Sequence, residues 1–325
     1  MQRRRFVCGS IAIGLALNAG AQTAGTPARI AYLSGYSSEV DRPLIAAFRR
    51  GLRELGYVEG RNLTMDVRYT AGVGDKHSAM AQELAALKPD LFVVLGPVAA
   101  RAASKAAPHL PIVFTNVQDP LGSGLVASLA RPGGNMTGMS DGHAASVTKR
   151  LGLIKEAIPG VTRVGVMWNE TSATNARQLE DLQAAAPHLA LALVSLPVRR
   201  REDIAPQLQR LKGQHATALL LLGDIVLTSN MRSIAEWSAA NRVAGVYTTK
   251  SWVDNGGFMA YGANFPELYR RSAAFVDKIL KGTKPGDLPI EQASKFDLVI
   301  NLKTAKALGI TIPQAFLQRA DEVIQ

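Results

Sequence analysis

The chain has 325 residues, is 47% hydrophobic and only 19% charged, and carries a formal net charge of +11. That composition is core-rich and globular, and the length suits two domains of ordinary size. Its basic residues fall in short clusters such as Arg199-Arg200-Arg201 and Arg270-Arg271, without zinc-finger spacing or an RNA-binding motif. They read as solvated faces, which excludes a nucleic-acid interface from the expected functions.

Residues 1–5 (MQRRR) are cationic, residues 7–17 form an apolar run, and Ala19-Gly20-Ala21 supplies a small-x-small exit. This order predicts a cleaved signal peptide over residues 1–21 and a periplasmic product. The run is well short of the ~20 residues that span a bilayer. Arg3-Arg4-Arg5-Phe6-Val7 also fits a twin-arginine address, so both that route and the Sec route stay open. Three arginines leave with the leader, taking the charge to +8, and the only cysteine, Cys8, leaves too. A disulfide, a thiolate metal site and a cysteine nucleophile are thereby excluded from the mature chain.

Beyond the leader, short apolar runs alternate with amphipathic stretches. A strand is expected at 29–33, then a helix at 44–55 with Leu44, Ile45, Phe48, Leu52 and Leu55 on one face. Asp41 would cap it, with Pro43 in the first turn and Gly56 at its end. A strand at 63–69, a helix at 77–87, a strand at 91–95, a helix at 99–107, a strand at 112–115 and a helix from 122 follow. After Pro132-Gly133-Gly134 the rhythm restarts. Helices are expected at 147–157, 173–185, 204–211 and 231–240, and strands at 163–168, 189–196, 218–222 and 245–248. Residues 256–261 are extended, 266–280 a long helix, 296–300 a strand and 303–308 a short helix. Alternating strands and helices predict an α/β fold with mostly parallel sheets, and two successive sets predict two Rossmann-like lobes.

Lobe one is expected over 28–138 plus 258–282, and lobe two over 139–257 plus 283–325, joined by a three-segment hinge. Gly133-Gly134, Gly256-Gly257 and the 281–289 turn are the candidate crossings.

In open α/β sheets ligands bind beyond the carboxyl ends of the strands. Those tips are Ser34, Gly35, Tyr36, Gly96, Pro97, Val98, Gln118 and Asp119 in lobe one. In lobe two they are Asn169, Ser172, Thr174, Asn175, Asp224 and Trp252. Such residues at helix N-termini suit a carboxylate or other anionic group. Asp119 or Asp224 would meet an ammonium, and Tyr36 or Trp252 would offer a flat apolar contact. Each has a plainer reading: Ser172, Thr174 or Asp224 as a helix cap, Asp119 as a turn former before Pro120, and the aromatics as ordinary packing.

Catalytic patterns are missing. The five histidines have no metal-ligand spacing, and neither a G-x-S-x-G elbow nor a Walker A loop occurs. Residues 122–127 match G-x-G-x-x-A, but too far beyond their strand, and no acidic residue ends the next one. No catalytic residue, metal or cofactor is expected. An exported α/β enzyme would have to pair Asp119 with Asp224, and a sensory module that presents its ligand to a membrane receptor is the other alternative.

Three long stretches carry a resemblance: residues 48–69 (FRRGLRELGYVEGRNLTMDVRY), 119–140 (DPLGSGLVASLARPGGNMTGMS) and 260–313, including ILKGTKPGDLPIEQASKFDLVINLKTAKALGITIP. The chain resembles the ABC transporter substrate-binding family that includes tryptophan- and other aromatic-amino-acid-binding members. The resemblance implies the type I periplasmic-binding fold. It also implies a monomer that captures a small molecule, an amino acid or related carboxylate, between its lobes for an inner-membrane permease. It places the family's cleft on the tips named above, with Asp224 as the acid that meets the ammonium. The tip at Trp168-Asn169-Glu170-Thr171 and the Gln at 118 depart from the family's usual residues.

Overall fold

The computed structural model describes residues 26–325, so the expected leader lies outside the described residues. The first lobe begins β1 (Ala28–Ser34), α1 (Ser38–Glu54), β2 (Leu63–Tyr69), α2 (Lys76–Ala86), β3 (Leu91–Leu95), α3 (Gly96–Ala106), β4 (Ile112–Val117) and β5 (Met136–Ser140). Then come α4 (His143–Ala157), β6 (Arg163–Asn169), α5 (Ala173–Ala185), β7 (Ala192–Val198), α6 (Ile204–Gly213) and β8 (Ala218–Leu221). The chain continues through α7 (Ile225–Thr228), α8 (Met231–Ala240), β9 (Ala244–Tyr247), α9 (Lys250–Asp254) and β10 (Met259–Ala263). It ends with α10 (Phe265–Leu280), β11 (Glu291–Gln292), β12 (Phe296–Asn301), α11 (Leu302–Leu308), α12 (Gln314–Leu317) and β13 (Glu322–Ile324). Among the described residues no helix is long and apolar enough to cross a membrane.

Two sheets organise these elements. One has the order β11-β5-β4-β3-β1-β2 and the other β13-β12-β10-β9-β8-β6-β7. The first is parallel throughout; the second is parallel except where β12 runs against β10. Helices cover both faces, so central strands are buried along their whole length and read as unbroken apolar runs, LFVVL in β3 and ALLL in β8. The two-lobe α/β architecture expected from the sequence is the one observed.

The boundaries between lobes differ from those expected. Each crossing comes one strand later than the turn proposed for it. β5 extends the first sheet through parallel pairing with β4 and β11, so the chain leaves the first lobe at Asp141-Gly142 and not at Gly133-Gly134. β10, assigned in expectation to lobe one, pairs with β9 and β12 in the second sheet, so the return crossing is at Asn264. β11 places residues up to Gln292 in lobe one, and the last crossing falls at 293–295. The sequence hid β5 because MTGMS has no apolar run, although all five residues are buried. Residues 122–129 form turns and no helix. Ser37, not Asp41, caps α1, with its Oγ accepting from Val40 N, and Pro43 lies inside the helix.

After the second crossing α10 packs on α1 and completes the first lobe's core with Leu268, Tyr269, Ala273 and Val276. The helices approach at Gly51, where a Cβ would stand 2.1 Å from the Arg270 carbonyl oxygen. Backbone cannot yield there as a side-chain tip can. Gly51→Ala is therefore expected to cost about 1–3 kcal/mol, read as a lower urea midpoint at unchanged slope. An unchanged midpoint would mean that the two helices separate freely.

Candidate functional site

The strand ends of the two sheets face each other. On the first side β1 runs out at Ser34, whose Oγ accepts from Tyr36 N at 3.1 Å. That bond turns the chain so that Tyr36 lies buried, its hydroxyl accepting from Asn116 Nδ2 at 2.7 Å. Asn116, near the end of β4, holds a left-handed backbone (φ 53°), which short amide side chains tolerate. Burial raises the Tyr36 phenol; Asn116 opposes this, and Asp141, Asp41 and Asp224 all push it further up. The ring thus stands within electrostatic reach of three carboxyls from both lobes.

Asp41 is fully buried on the inner face of α1. The Tyr32 hydroxyl donates to its Oδ1 at 3.3 Å, while Oδ2 has no hydrogen-bond partner among the described residues. Burial pushes this carboxyl up to about 7, against the smaller effects of the Tyr32 and Ser34 hydroxyls. The Thr115 and Tyr269 hydroxyls lie near one another, but neither closes a hydrogen bond among the described residues.

On the second side, the loops after β6 and β8 are tied together. Asn169 donates from Nδ2 to Asp224 Oδ2 at 2.9 Å, and its Oδ1 accepts from Thr171 N and Oγ1. Asn175 Oδ1 accepts from Asn169 N, and its Nδ2 donates to Gln178 Oε1 and to Gly223 O. Asp224 Oδ1 accepts from Val226 N at 2.7 Å and caps α7. Burial raises its carboxyl, opposed by the Asn169 amide and by the backbone N–H groups of the α7 turn.

The lobes touch. Gln118 Nε2 donates to Gly223 O at 2.6 Å, and Gln178 Nε2 donates to Gln118 Oε1 at 3.3 Å. Arg177 approaches Asp119 at 3.7 Å, and Arg232 approaches Glu39 at 3.6 Å. Between these polar ties Ile225, from the second lobe, packs against the core of the first. Its Cδ1 would stand 2.4 Å from a Cβ at Gly35 and 3.6 Å from one at Gly96. Both glycines leave room for that side chain, and Gly96 also needs its positive φ of 80°.

Of the residues expected at the site, Ser34, Gly35, Tyr36, Gly96, Gln118, Asn169, Asn175 and Asp224 are brought together between the lobes. Pro97 is half-buried in the first turn of α3, and Val98 beside it faces solvent. Ser172 caps α5 by accepting from Asn175 N, and Thr174 is half-buried in that helix's first turn. Asp119 accepts from Gly122 N at 2.7 Å, as a turn former does, and also bridges to Arg177. Trp252 is buried in the second lobe's core, stacked on Tyr247 at 4.5 Å, so packing is its role. Asp119 and Asp224 share no partner among the described residues: Asp119 is held by Gly122 and Arg177, Asp224 by Asn169 and Val226.

Sequence reading missed Asp41, Asp141, Arg150 and Ile225. Arg150 is fully buried, its Nη1 donating to Leu221 O at 3.0 Å. A signal existed for two of them. Arg150 stands on the stripe Val147, Leu151, Ile154 of α4, and Asp41 on the stripe Leu44, Ile45, Phe48 of α1. A charge on an apolar stripe is either misplaced or held for a purpose.

Known proteins match this description. A tyrosine-binding protein of Clostridioides difficile (strain R20291) is 26% identical over 280 residues, covering 85% of this chain and 80% of its own length. A conserved domain protein from Vibrio cholerae O1 biovar El Tor is 29% identical with a TM-score of 0.85, covering 92% of this chain and all of its own. The ABC domain in complex with L-Trp from Streptococcus pneumonia is 26% identical with the same TM-score and the same coverage. The family described as ABC transporter substrate binding protein matches residues 42–324, nearly the whole described chain. With that match spanning both lobes and the cleft between them, the chain belongs to the ABC transporter substrate binding protein family.

Proposed function

We propose that this receptor is exported to the periplasm and holds an amino acid or related small carboxylate between its lobes, for delivery to an inner-membrane permease. One observation carries the ligand class: at the second lobe's strand ends a buried cation, Arg150 on the Leu221 carbonyl, stands within one loop of the Asp224 carboxylate. A small zwitterion complements such a pair, because buried charges need partners. The tyrosine-binding relative and the L-Trp complex support the same class. Asp224 and Asn169 would meet the ammonium, with Ser34, Tyr36 and Gly96 lining the opposite wall. Capture and not catalysis is favoured, since Asp119 and Asp224 are committed to separate partners and form no acid–base pair.

A thermal-shift screen of the twenty amino acids, aromatic acids and small carboxylates tests this. A bound ligand at a hundred times its Kd stabilises the folded state by about 2.7 kcal/mol, which raises the melting temperature by several degrees. If the whole panel leaves the refolded protein unchanged, the small-carboxylate reading fails. N-terminal sequencing of protein from the periplasmic fraction tests export: the mature chain is expected to begin just after Ala21.

A further inference from the structure

We propose that Arg150 grips the ligand's carboxylate through Nε and Nη2, a role that rests on the reading above that a ligand lies between the lobes. The side chain rises from α4 to the carboxyl end of β8, where Leu221 O accepts from Nη1 at 3.0 Å. Leu221 is three residues before Asp224, and the intervening Gly223 carbonyl receives the bond from Gln118 of the other lobe. The guanidinium therefore stands directly under the inter-lobe floor. Nη1 is spoken for, but Nε and Nη2 are buried without an acceptor among the described residues. These two N–H groups lie on the same edge of the guanidinium plane, the edge that forks onto both oxygens of a carboxylate.

Asp141, at the hinge, acts on Arg150 through its charge and leaves that edge of the guanidinium open. Asp141 also acts on Tyr36 and Tyr269, so Arg150 and both phenols lie within electrostatic reach of the same carboxylate. Burial lowers the guanidinium to about 10, with Asp141 opposing, so Arg150 stays cationic at neutral pH. A buried cation with two idle donors is costly, and a planar anion with two oxygens removes that cost. Asp224, at the far end of the same loop, then faces the ammonium, and the two charges fix the direction in which a ligand enters.

The test compares acids with their decarboxylated amines. L-Tyrosine, L-tryptophan, tyramine and tryptamine are titrated by calorimetry against the wild-type protein, Arg150→Lys and Arg150→Met. The wild type is expected to bind an amino acid at least a hundredfold more tightly than its amine. Arg150→Met should lose about that factor for the acid and under threefold for the amine, and Arg150→Lys should fall between. If Arg150→Met keeps the wild-type affinity for the acid, or loses acid and amine equally, the carboxylate role is overturned. The acid–amine comparison on the wild type needs no variant, so a missing preference for the acid overturns the assignment even if a variant fails to fold. If only amines bind, this assignment falls while the receptor reading stands. If neither these four compounds nor any member of the amino-acid and carboxylate panel binds, the ligand class itself fails and takes Arg150's role with it.

Discussion

Gly35→Val is expected to hold the lobes apart and weaken ligand binding roughly 5- to 150-fold, the equivalent of about 1–3 kcal/mol of overpacking. The reason lies in what occupies the glycine's empty side. Ile225 Cδ1 stands 2.4 Å from where a Cβ would be, and His77 Nε2 stands 3.5 Å from it. His77 is fixed by Thr70 Oγ1 and Gly74 O, so it does not yield. Alanine at Gly35 meets only the swinging end of Ile225 and should cost little. Valine adds two branched methyl groups to a Cβ that already has both neighbours within 3.5 Å. Trimming the partner should restore closure, so Gly35→Val with Ile225→Ala is expected to recover most of the affinity. Small-angle scattering with saturating ligand checks the mechanism: the single variant should keep a larger radius of gyration than the wild type. An unchanged radius and affinity would remove Ile225 from the closing surface.

Asp41 sets the second large effect. Its carboxyl titrates at about 7 in the folded chain against 3.8 for the free group. The folded state therefore holds a proton that the unfolded chain has released, and stability falls as pH rises from about 4 through about 7. Asp41→Asn removes the titration while keeping an acceptor for the Tyr32 hydroxyl. Each tenfold difference in proton affinity between the two states is worth about 1.4 kcal/mol. The variant should therefore be more stable than the wild type by about 4 kcal/mol near pH 8. The gap should shrink to under about 1 kcal/mol near pH 4. Urea titrations at four pH values measure it. A gap that stays constant with pH would show that Asp41 is ionised throughout, with its charge met by another group.

How much of this was legible in the residues depends on the kind of signal. The central strands announced themselves, because a sheet covered on both faces needs apolar residues without interruption, and β3 and β8 have them. The strand tips followed from topology, which is why eight of the expected residues meet between the lobes. Two neighbouring strands at one end of the first sheet were invisible. β5 and β11 are MTGMS and EQ, and they are held in the sheet by pairing and not by an apolar pattern. Since β5 decides where the chain leaves the first lobe, missing it displaced the first crossing. The individual roles of tip residues were also hidden. Asn169 and Asn175 look like ligand donors in sequence, yet most of their hydrogen-bonding capacity goes to shaping the loops around Asp224. Only the partners of each residue separate one that binds from one that holds the binder. Arg150 shows the reverse case, a charge that sequence places among ordinary helix residues and burial singles out.

The return of α10 to the first lobe bears on how the chain is made. The Tyr57 hydroxyl donates to Asp277 across 220 positions, and the same helix pair closes the core over Gly51. A ribosome adding roughly 5–20 residues per second needs about 10–45 s to travel from one side of that contact to the other. Throughout that interval the apolar stripe of α1 has emerged without its cover. The cover of α1 is thus made only after most of the second lobe's chain, so the first lobe cannot close its core before much of the second has been synthesised.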